Sequence, residues 1–323
     1  MSNITGRDII HRWEGNPIIS IEDLSFRLSD IHNCGVIKLT DDRILMLITV
    51  ESLMGYTMIY KAVSDDGINF TVDPHAFMEP SHDNWRKCYE TFGVRDPRIT
   101  KLDNKYYICF VADSGLGYRI GIASTTDFKK IDFLGYATQP DAKNGVLFPC
   151  KFDGRYALLK RPLGGAIWVS FSEDLEYWGD EKPVFLPRPG YWDSDRIGIS
   201  SVPILTDKGW LVIYYGAKET SAGPLFRLGA AVLDSNDPSK VIARSNIPIL
   251  SPRETYERIG DVPNIVFSCG AVEYHDELNL YYGGSNSCIC LGTTSIAELV
   301  DFCFACTQVD EYMDWYTEKK SCH

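Results

Sequence analysis

The sequence predicts an all-β protein: a single five-bladed β-propeller spanning residues 1–323, with a short N-terminal segment and a C-terminal helix. Three observations predict it. A two-hairpin unit occurs five times, the first turn of each unit carries Asp, Asn or Gly, and only the last stretch changes to helical spacing.

The first copy runs from Cys34 to Val50 and from Thr57 to Phe70, and the second from Asp96 to Asp113 and Tyr118 to Gly135. The third covers Leu147 to Pro162 and Ala166 to Gly179, the fourth Ser201 to Lys218 and Arg227 to Ser245. The fifth covers Cys269 to Asn286 and Cys288 to Leu299. Starts recur every roughly 50 to 65 residues, the length of one blade with loop insertions. The turns TDDR, LDNK, FDGR, TDKG and HDE place Asp, Asn or Gly where a tight hairpin requires them. The second hairpin arms alternate or run apolar, as strands packed between neighbouring sheets do. A β-sandwich also supplies many short strands, but not one two-hairpin unit five times over. Ser295 to Tyr316 sets Leu299, Phe302, Cys303, Cys306 and Val309 at helical spacing, and residues 1–33 are expected to cross between blades or help close the ring.

Hydrophobic residues make up 45% of the chain and charged residues 24%, which suffices for a sizeable core. A net charge of −12 disfavours nucleic acid and anionic membranes as partners. It fits a neutral substrate, with any anion held in a local basic pocket. No apolar run reaches the roughly 18 to 20 residues that span a bilayer, and Met1 to Glu14 lacks a basic segment followed by an apolar one. A soluble, cytoplasmic protein is expected. Its ten cysteines then read as thiols rather than a disulfide framework, with Cys109, Cys288 and Cys290 as small buried hydrophobes. Cys303 and Cys306 have CxxC spacing, but no second CxxC or HxxxH accompanies them, so a structural role is expected. No metal and no cofactor is expected, since GxSxG, HExxH, Walker and dinucleotide-binding motifs are lacking.

In a propeller the first strand of every blade faces the axis, so polar residues at the strand starts converge. Asn33, Asp96, Lys143 with Asn144, Arg196 and Asp261 occupy those positions. Asp96, between Arg95 and Arg98, reads either as part of a structural salt bridge or as an acid that protonates a leaving oxygen in glycoside cleavage. Lys160 and Arg161 end an apolar strand. They form either a solvated rim or, with Lys143 and Arg196, a basic cup for an anion such as phosphate. Tyr118, Trp168, Tyr191 and Trp192 could stack on sugar rings, although each alone is more usually a blade-packing residue.

Seven motifs carry the reading further: GVRDPRIT, KNGVLFPCKFDGRYALLKRP, IWVSFSEDLEYWG, WDSDRIG, GWLVIYYG, RLGAAVLDSNDPSKVIARS and ERIGDVPNIVFSCGAV. Over nearly the whole chain, and in this order, they resemble glycoside hydrolase family 130, the inverting β-mannoside phosphorylases and mannosidases. They also resemble the related mannosyltransferase-phosphorylases of glycosyltransferase family 108. The resemblance implies a five-bladed propeller with its site on the axis and Asp96 as general acid, its proton passing through a sugar hydroxyl in the phosphorylases. It implies Lys143, Asn144, Arg161 and Arg196 as phosphate ligands on the opposite face of C1. Asn33, Asp66 and Asn286 are implied to hold the mannose, and Asp261 and Tyr118 join them as sugar-binding candidates.

The chain departs from the family pattern at four positions. Arg95 stands where the family has Glu, Lys160 where it has His, Tyr215 where it has a phosphate-binding His, and Asn286 where it has Asp. Lys160 and Tyr215 therefore count with the phosphate set. Because the cations persist, the implied reaction is reversible transfer of mannose between a β-1,2-mannooligosaccharide and phosphate, giving α-mannose 1-phosphate. The changes at 215 and 286 lean toward GDP-mannose as an additional donor. The rivals are an inverting β-mannosidase using water and a non-catalytic carbohydrate-binding propeller, and homo-oligomerisation stays open.

Overall fold

The structure, a computed structural model, describes residues 8–275 and 277–307. Two short strands, β1 (His11–Arg12) and β2 (Ile19–Ser20), precede the first four-stranded unit, β3 (Asp30–Lys38), β4 (Ile44–Glu51), β5 (Thr57–Ser64) and β6 (Thr71–Met78). The second unit is β7 (Gly93–Leu102), β8 (Lys105–Asp113), β9 (Arg119–Thr125) and β10 (Asp132–Tyr136). The third is β11 (Ala142–Phe152), β12 (Arg155–Pro162), β13 (Ile167–Ser172) and β14 (Gly179–Phe185). In the fourth unit the first strand is broken into β15 (Arg196–Ile199) and β16 (Ile204–Thr206), followed by β17 (Gly209–Thr220), β18 (Gly223–Leu233) and β19 (Val241–Arg244). The one-turn helix α1 (Thr255–Arg258) lies in the crossover to the fifth unit, β20 (Val266–Tyr274), β21 (Glu277–Gly284) and β22 (Cys288–Thr294), and α2 (Ile296–Thr307) follows.

The protein is all-β, each unit an antiparallel meander. The fifth unit takes its outer strands from the start of the chain: β1 pairs with β22 through His11–Thr293, and β2 through Ile19–Ile289. Residues 1–33 thus do join the two ends of the fold, as expected for the part that lies within the described residues. The sequence-derived helix is α2; positions 308–316, including Val309, lie outside the described residues. Leu299, Val300 and Cys303 bury against the fourth and fifth units. No helix among the described residues is long and apolar enough to cross a membrane.

The turn chemistry explains the meanders. The first hairpin of the five units turns through Asp42, Asp103, Asp153, Gly209 and His275, all at positive φ. Asp tolerates that left-handed geometry better than most side chains, and Gly has no Cβ to clash. Second strands such as β4 (ILMLITVE) are buried on both faces, which is why they read as unbroken apolar runs. Outer strands β6 and β14 are exposed and carry Pro74 and Pro183, which a strand lacking an outer partner tolerates.

The apolar core lies between units rather than within them. Leu47 and Ile59 of the first unit pack with Ile99 and Phe110 of the second. Ile120 and Ile122 pack with Leu147 and Leu158 of the third. Val146 and Phe148 of the third unit pack with Ile197 and Trp210 of the fourth, and Ile213 and Leu228 with Val266 and Leu280 of the fifth. Tyr281 and Ile289 then pack with Ile31 and Val36, back on the first unit. Units one and two also share one parallel backbone bridge, Thr57 to Gly93. A Cβ on Gly93 would stand 2.2 Å from the Thr57 carbonyl oxygen, so only glycine fits there.

Arg98 ties the second unit to the fourth. Its guanidinium, 1% exposed, donates to the carbonyls of Ser200 (2.8 Å), Ile199 (3.0 Å) and Asp96 (3.0 Å). Replacing it by Met would strip three carbonyls of donors, and each unsatisfied buried group costs about 1–3 kcal/mol. Arg98→Met is therefore expected to lose about 3 kcal/mol or more, read as a lower thermal midpoint by circular dichroism.

Candidate active site

The inner strands of the first three units break their own ladders where candidate side chains lie. The pairing of β3 with β4 shifts register between Ile31 and Cys34, which releases His32 and Asn33. β7 shifts between Arg95 and Arg98, releasing Asp96, and β11 between Lys143 and Val146, releasing Asn144. Asp96 and Asn144 have φ of 54° and 57°, a strained geometry that an ordinary ladder residue would not adopt. A bulge frees one residue from pairing and re-aims its side chain. Three bulges therefore turn Asn33, Asp96 and Asn144 into one space.

The backbone N–H of Asp96 donates to Thr49 Oγ1 at 3.0 Å, and its Oδ1 accepts from Asn33 Nδ2 at 2.8 Å. Neither flanking arginine pairs with its carboxylate: Arg95 turns to Asp113, and Arg98 holds carbonyls. The geometry thus departs from the salt-bridge reading. Asp113 itself is pushed up by burial, against the pull of Arg95.

The cations line the same cavity as Asp96. Lys143 Nζ sits 3.3 Å from the centre of the Tyr118 ring, and Tyr118 is held by its own N–H donating to Asp141 Oδ1 at 2.6 Å. Burial, then the positive charge of Arg95, pushes Lys143 down to about 8. Asn144 Oδ1 accepts from both Arg161 Nε and Tyr215 O–H, each at 3.1 Å. That shared acceptor fixes the guanidinium and the phenol relative to one another. Burial pushes the Tyr215 phenol up, so it stays a proton donor at neutral pH. Arg196 lies 3.6 Å from Glu219 Oε1 and over the ring of Phe226.

One cavity of about 390 Å³ takes in Asn33, Asp96, Tyr118, Lys143, Asn144, Arg161, Arg196, Tyr215 and Asn286. Nine of the twelve candidates therefore come together, from residues scattered across the chain. Three do not. Lys160 neighbours Arg161 on β12, and since adjacent side chains on a strand face opposite ways, it points away and pairs with Glu181 beside another crevice. Asp66 caps the β5–β6 turn, accepting from the N–H groups of Ile68 and Asn69 and from Asn69 Nδ2. Burial opposes its ionisation, but those donors prevail and hold it below the usual carboxylate range. Asp261 lies exposed in the crossover before β20, its N–H on Ser287 Oγ, and does not line the cavity. Trp192 packs against Tyr214 between the strands of its unit, as blade-packing aromatics do.

His32, Arg95, Asp141, Phe226 and Phe267 also line the cavity and were not singled out from sequence as site residues. His32 is legible in hindsight as the neighbour of Asn33 on the bulge, and Asp141 as a carboxylate two positions before Lys143. Phe226 and Phe267 carry no local signal. Among the described residues, no three His, Cys, Asp or Glu side chains converge as a metal ion requires.

A cavity lined by Asp96 and Asp141 together with Arg95, Lys143, Arg161 and Arg196 suits a hydroxyl-rich neutral substrate placed beside an anion. Residues 8–305 match the sequence model of glycoside hydrolase family 130, described as beta-1,4-mannooligosaccharide phosphorylase, and the chain belongs to this family. It is 36% identical to a beta-1,2-mannobiose phosphorylase of Listeria innocua, over 77% of this chain and 69% of that one. It is 38% identical to a 1,2-beta-oligomannan phosphorylase of Thermoanaerobacter, over 78% and 81%. The structure resembles that of the Listeria innocua beta-1,2-mannobiose phosphorylase in complex with beta-1,2-mannobiose. That match has a TM-score of 0.84 at 30% identity and covers 92% of this chain and 99% of the other.

Proposed function

We propose that this chain is a β-1,2-mannoside phosphorylase built on one five-bladed β-propeller, with Asp96 as the acid and Lys143, Asn144, Arg161, Arg196 and Tyr215 as the phosphate site. The observation that carries this reading is the placement of Asp96 and the three cations around one cavity, with Asn144 bridging Arg161 and Tyr215. The core between successive units, returning from the fifth to the first, supports the propeller.

The chemistry follows from charge placement. Phosphate attacks C1 of the mannosyl unit from the cation side, and the C1–O bond breaks toward the Asp96 side. The electron pair goes to the leaving oxygen, which receives a proton originating on Asp96, so the products are α-mannose 1-phosphate and a shortened mannoside. Preorganised cations hold the anion without further rearrangement, which is where such sites gain most of their rate. Asn33 orients the acid through its 2.8 Å hydrogen bond.

Hydrolysis would instead need a carboxylate base on the cation side to activate water. Lys143, Arg161, Arg196 and Tyr215 share the cavity lining with one further carboxylate, Asp141, whose Oδ1 is already taken by the Tyr118 N–H at 2.6 Å, and Glu219 lies 3.6 Å from Arg196. Cleavage of β-1,2-mannobiose is accordingly expected to depend on phosphate, rising at least about a hundredfold from none to saturation, with mannose 1-phosphate formed in equal amount to mannose. A rate indifferent to phosphate would identify a mannosidase. Replacing phosphate by GDP-mannose, with mannose as acceptor, tests the additional donor in the same assay.

A further inference from the structure

A second cationic cavity, of about 560 Å³, lies across the β17–β18 hairpin from the first. Its walls include Arg227 of β18, Arg253 and Arg258 from the crossover around α1, and Asn264. Phe226 and Ile265, which line the first cavity, form a parallel bridge, and the Phe226 N–H donates to the Asn264 carbonyl at 3.1 Å. Because side chains alternate along a strand, Leu225 and Arg227 point to the opposite side of that wall. The two cavities are thus one strand layer apart.

The charges around this second cavity do not balance. Arg12 and Arg253 share Asp8, and Arg12 also takes both carboxylate oxygens of Glu257. Glu257 is further engaged by the N–H groups of Arg253 and Glu254 and by the Tyr282 hydroxyl. Asp8 and Glu257 thus serve Arg12 and Arg253, and among the described residues no ion pair reaches Arg227 or Arg258. Among the described residues Arg258 reaches Asn264 Oδ1 alone, at 3.4 Å. Among the described residues no hydrogen bond or ion pair reaches the half-buried side chain of Arg227, and burial and the like charge of Arg253 disfavour its charge more than Asp8 supports it. A guanidinium cannot relieve this by losing its proton at neutral pH. Two planar donors without a carboxylate partner, in a chain of net charge −12, form a local site for an anion.

We propose that this cavity binds a phosphate or phosphate-ester group, separately from the reacting site, with Arg227 and Arg258 as its ligands. The hairpin wall couples the two cavities physically, since Phe226 and Arg227 are adjacent residues on one strand.

The test is calorimetric titration of the full chain with inorganic phosphate and, separately, with α-mannose 1-phosphate. Two phosphate equivalents are expected for the unmodified protein. Arg227→Met should weaken one of them at least tenfold and leave saturated mannoside turnover within twofold. Arg161→Met should weaken the other. A single equivalent that disappears with Arg161→Met overturns the proposal, and so does an Arg227→Met protein that titrates like the parent. Should Arg227→Met fail to fold by circular dichroism, Arg258→Gln, at an exposed side chain, carries the same expectation at threefold or more, and no change there overturns the proposal equally. Tighter binding of the sugar phosphate than of phosphate at this site identifies a product-type ligand, and the reverse identifies free phosphate. An Arg227-dependent equivalent that persists while phosphate fails to promote cleavage leaves this site standing and removes only the phosphorylase reading.

Discussion

Asp96→Asn is expected to lower turnover of β-1,2-mannobiose about a thousandfold, within the range that general acids contribute, while phosphate binds as well as before or better. The amide keeps the shape of the carboxyl and its hydrogen bond to Asn33 Nδ2, so the bulge in β7 has no reason to change. What disappears is the transferable proton. The loss should therefore depend on the leaving group. A β-mannoside of an acidic phenol needs little protonation on departure and should lose far less than mannobiose does, whereas misfolding or lost binding would depress both alike. Steady-state rates on the two substrates, with a phosphate titration of the variant, separate these cases. A variant retaining more than a tenth of parental mannobiose turnover would remove Asp96 from the acid role.

The all-β meander organisation was legible because each unit repeats its turn chemistry and its buried second strand. The strand starts were less so. The repeat copies begin at Cys34, Asp96 and Leu147, whereas the strands begin at Asp30, Gly93 and Ala142. The missed stretches of β3 and β11 hold the bulged Asn33 and Asn144, and that of β7 runs up to the bulged Asp96, so their polar and glycine-containing sequence interrupts the apolar pattern by which strands are recognised. The site shows the same division. Asp96, Lys143 and Arg196 were readable as polar residues at strand starts, while the choice between Lys160 and Arg161 depended on strand parity across a single position. Asp66 was separable in principle. Asp127 and Asp174 occupy the same Ser/Thr-x-Asp turn in the next two units, accepting from the N–H groups of Lys129 and Lys130 and of Glu176 and Tyr177. A residue repeated in several units at one turn serves the turn. Asp261 lies in the long crossover before the fifth unit, where no periodicity indicates which side chains face the cavity.

Lys143 makes the second large prediction, because its charge is held at a cost that phosphate would offset. Its half-buried amine is pushed from 10.5 to about 8, first by burial and then by Arg95. A base whose pKa is lower folded than unfolded destabilises the fold below the folded pKa, and the deficit is recovered as pH rises from about 8 toward 10.5. The shift corresponds to up to about 3 kcal/mol at pH 7. Lys143→Met keeps the packing on Tyr118 and removes the charge, so its thermal midpoint should exceed the parent's by several degrees at pH 7, with the gap closing above pH 10. The same change should raise KM for phosphate about thirtyfold or more, since a desolvated charge-assisted contact is lost. In the parent, kcat/KM for phosphate should fall roughly tenfold per pH unit above about 8 as the amine loses its proton, and this limb should vanish in the variant. Stability gained and affinity lost through one substitution is the signature of a charge kept in place for an anion. A variant that melts below the parent while binding phosphate equally well would assign Lys143 to packing alone, and the anion would then rest on Arg161 and Arg196.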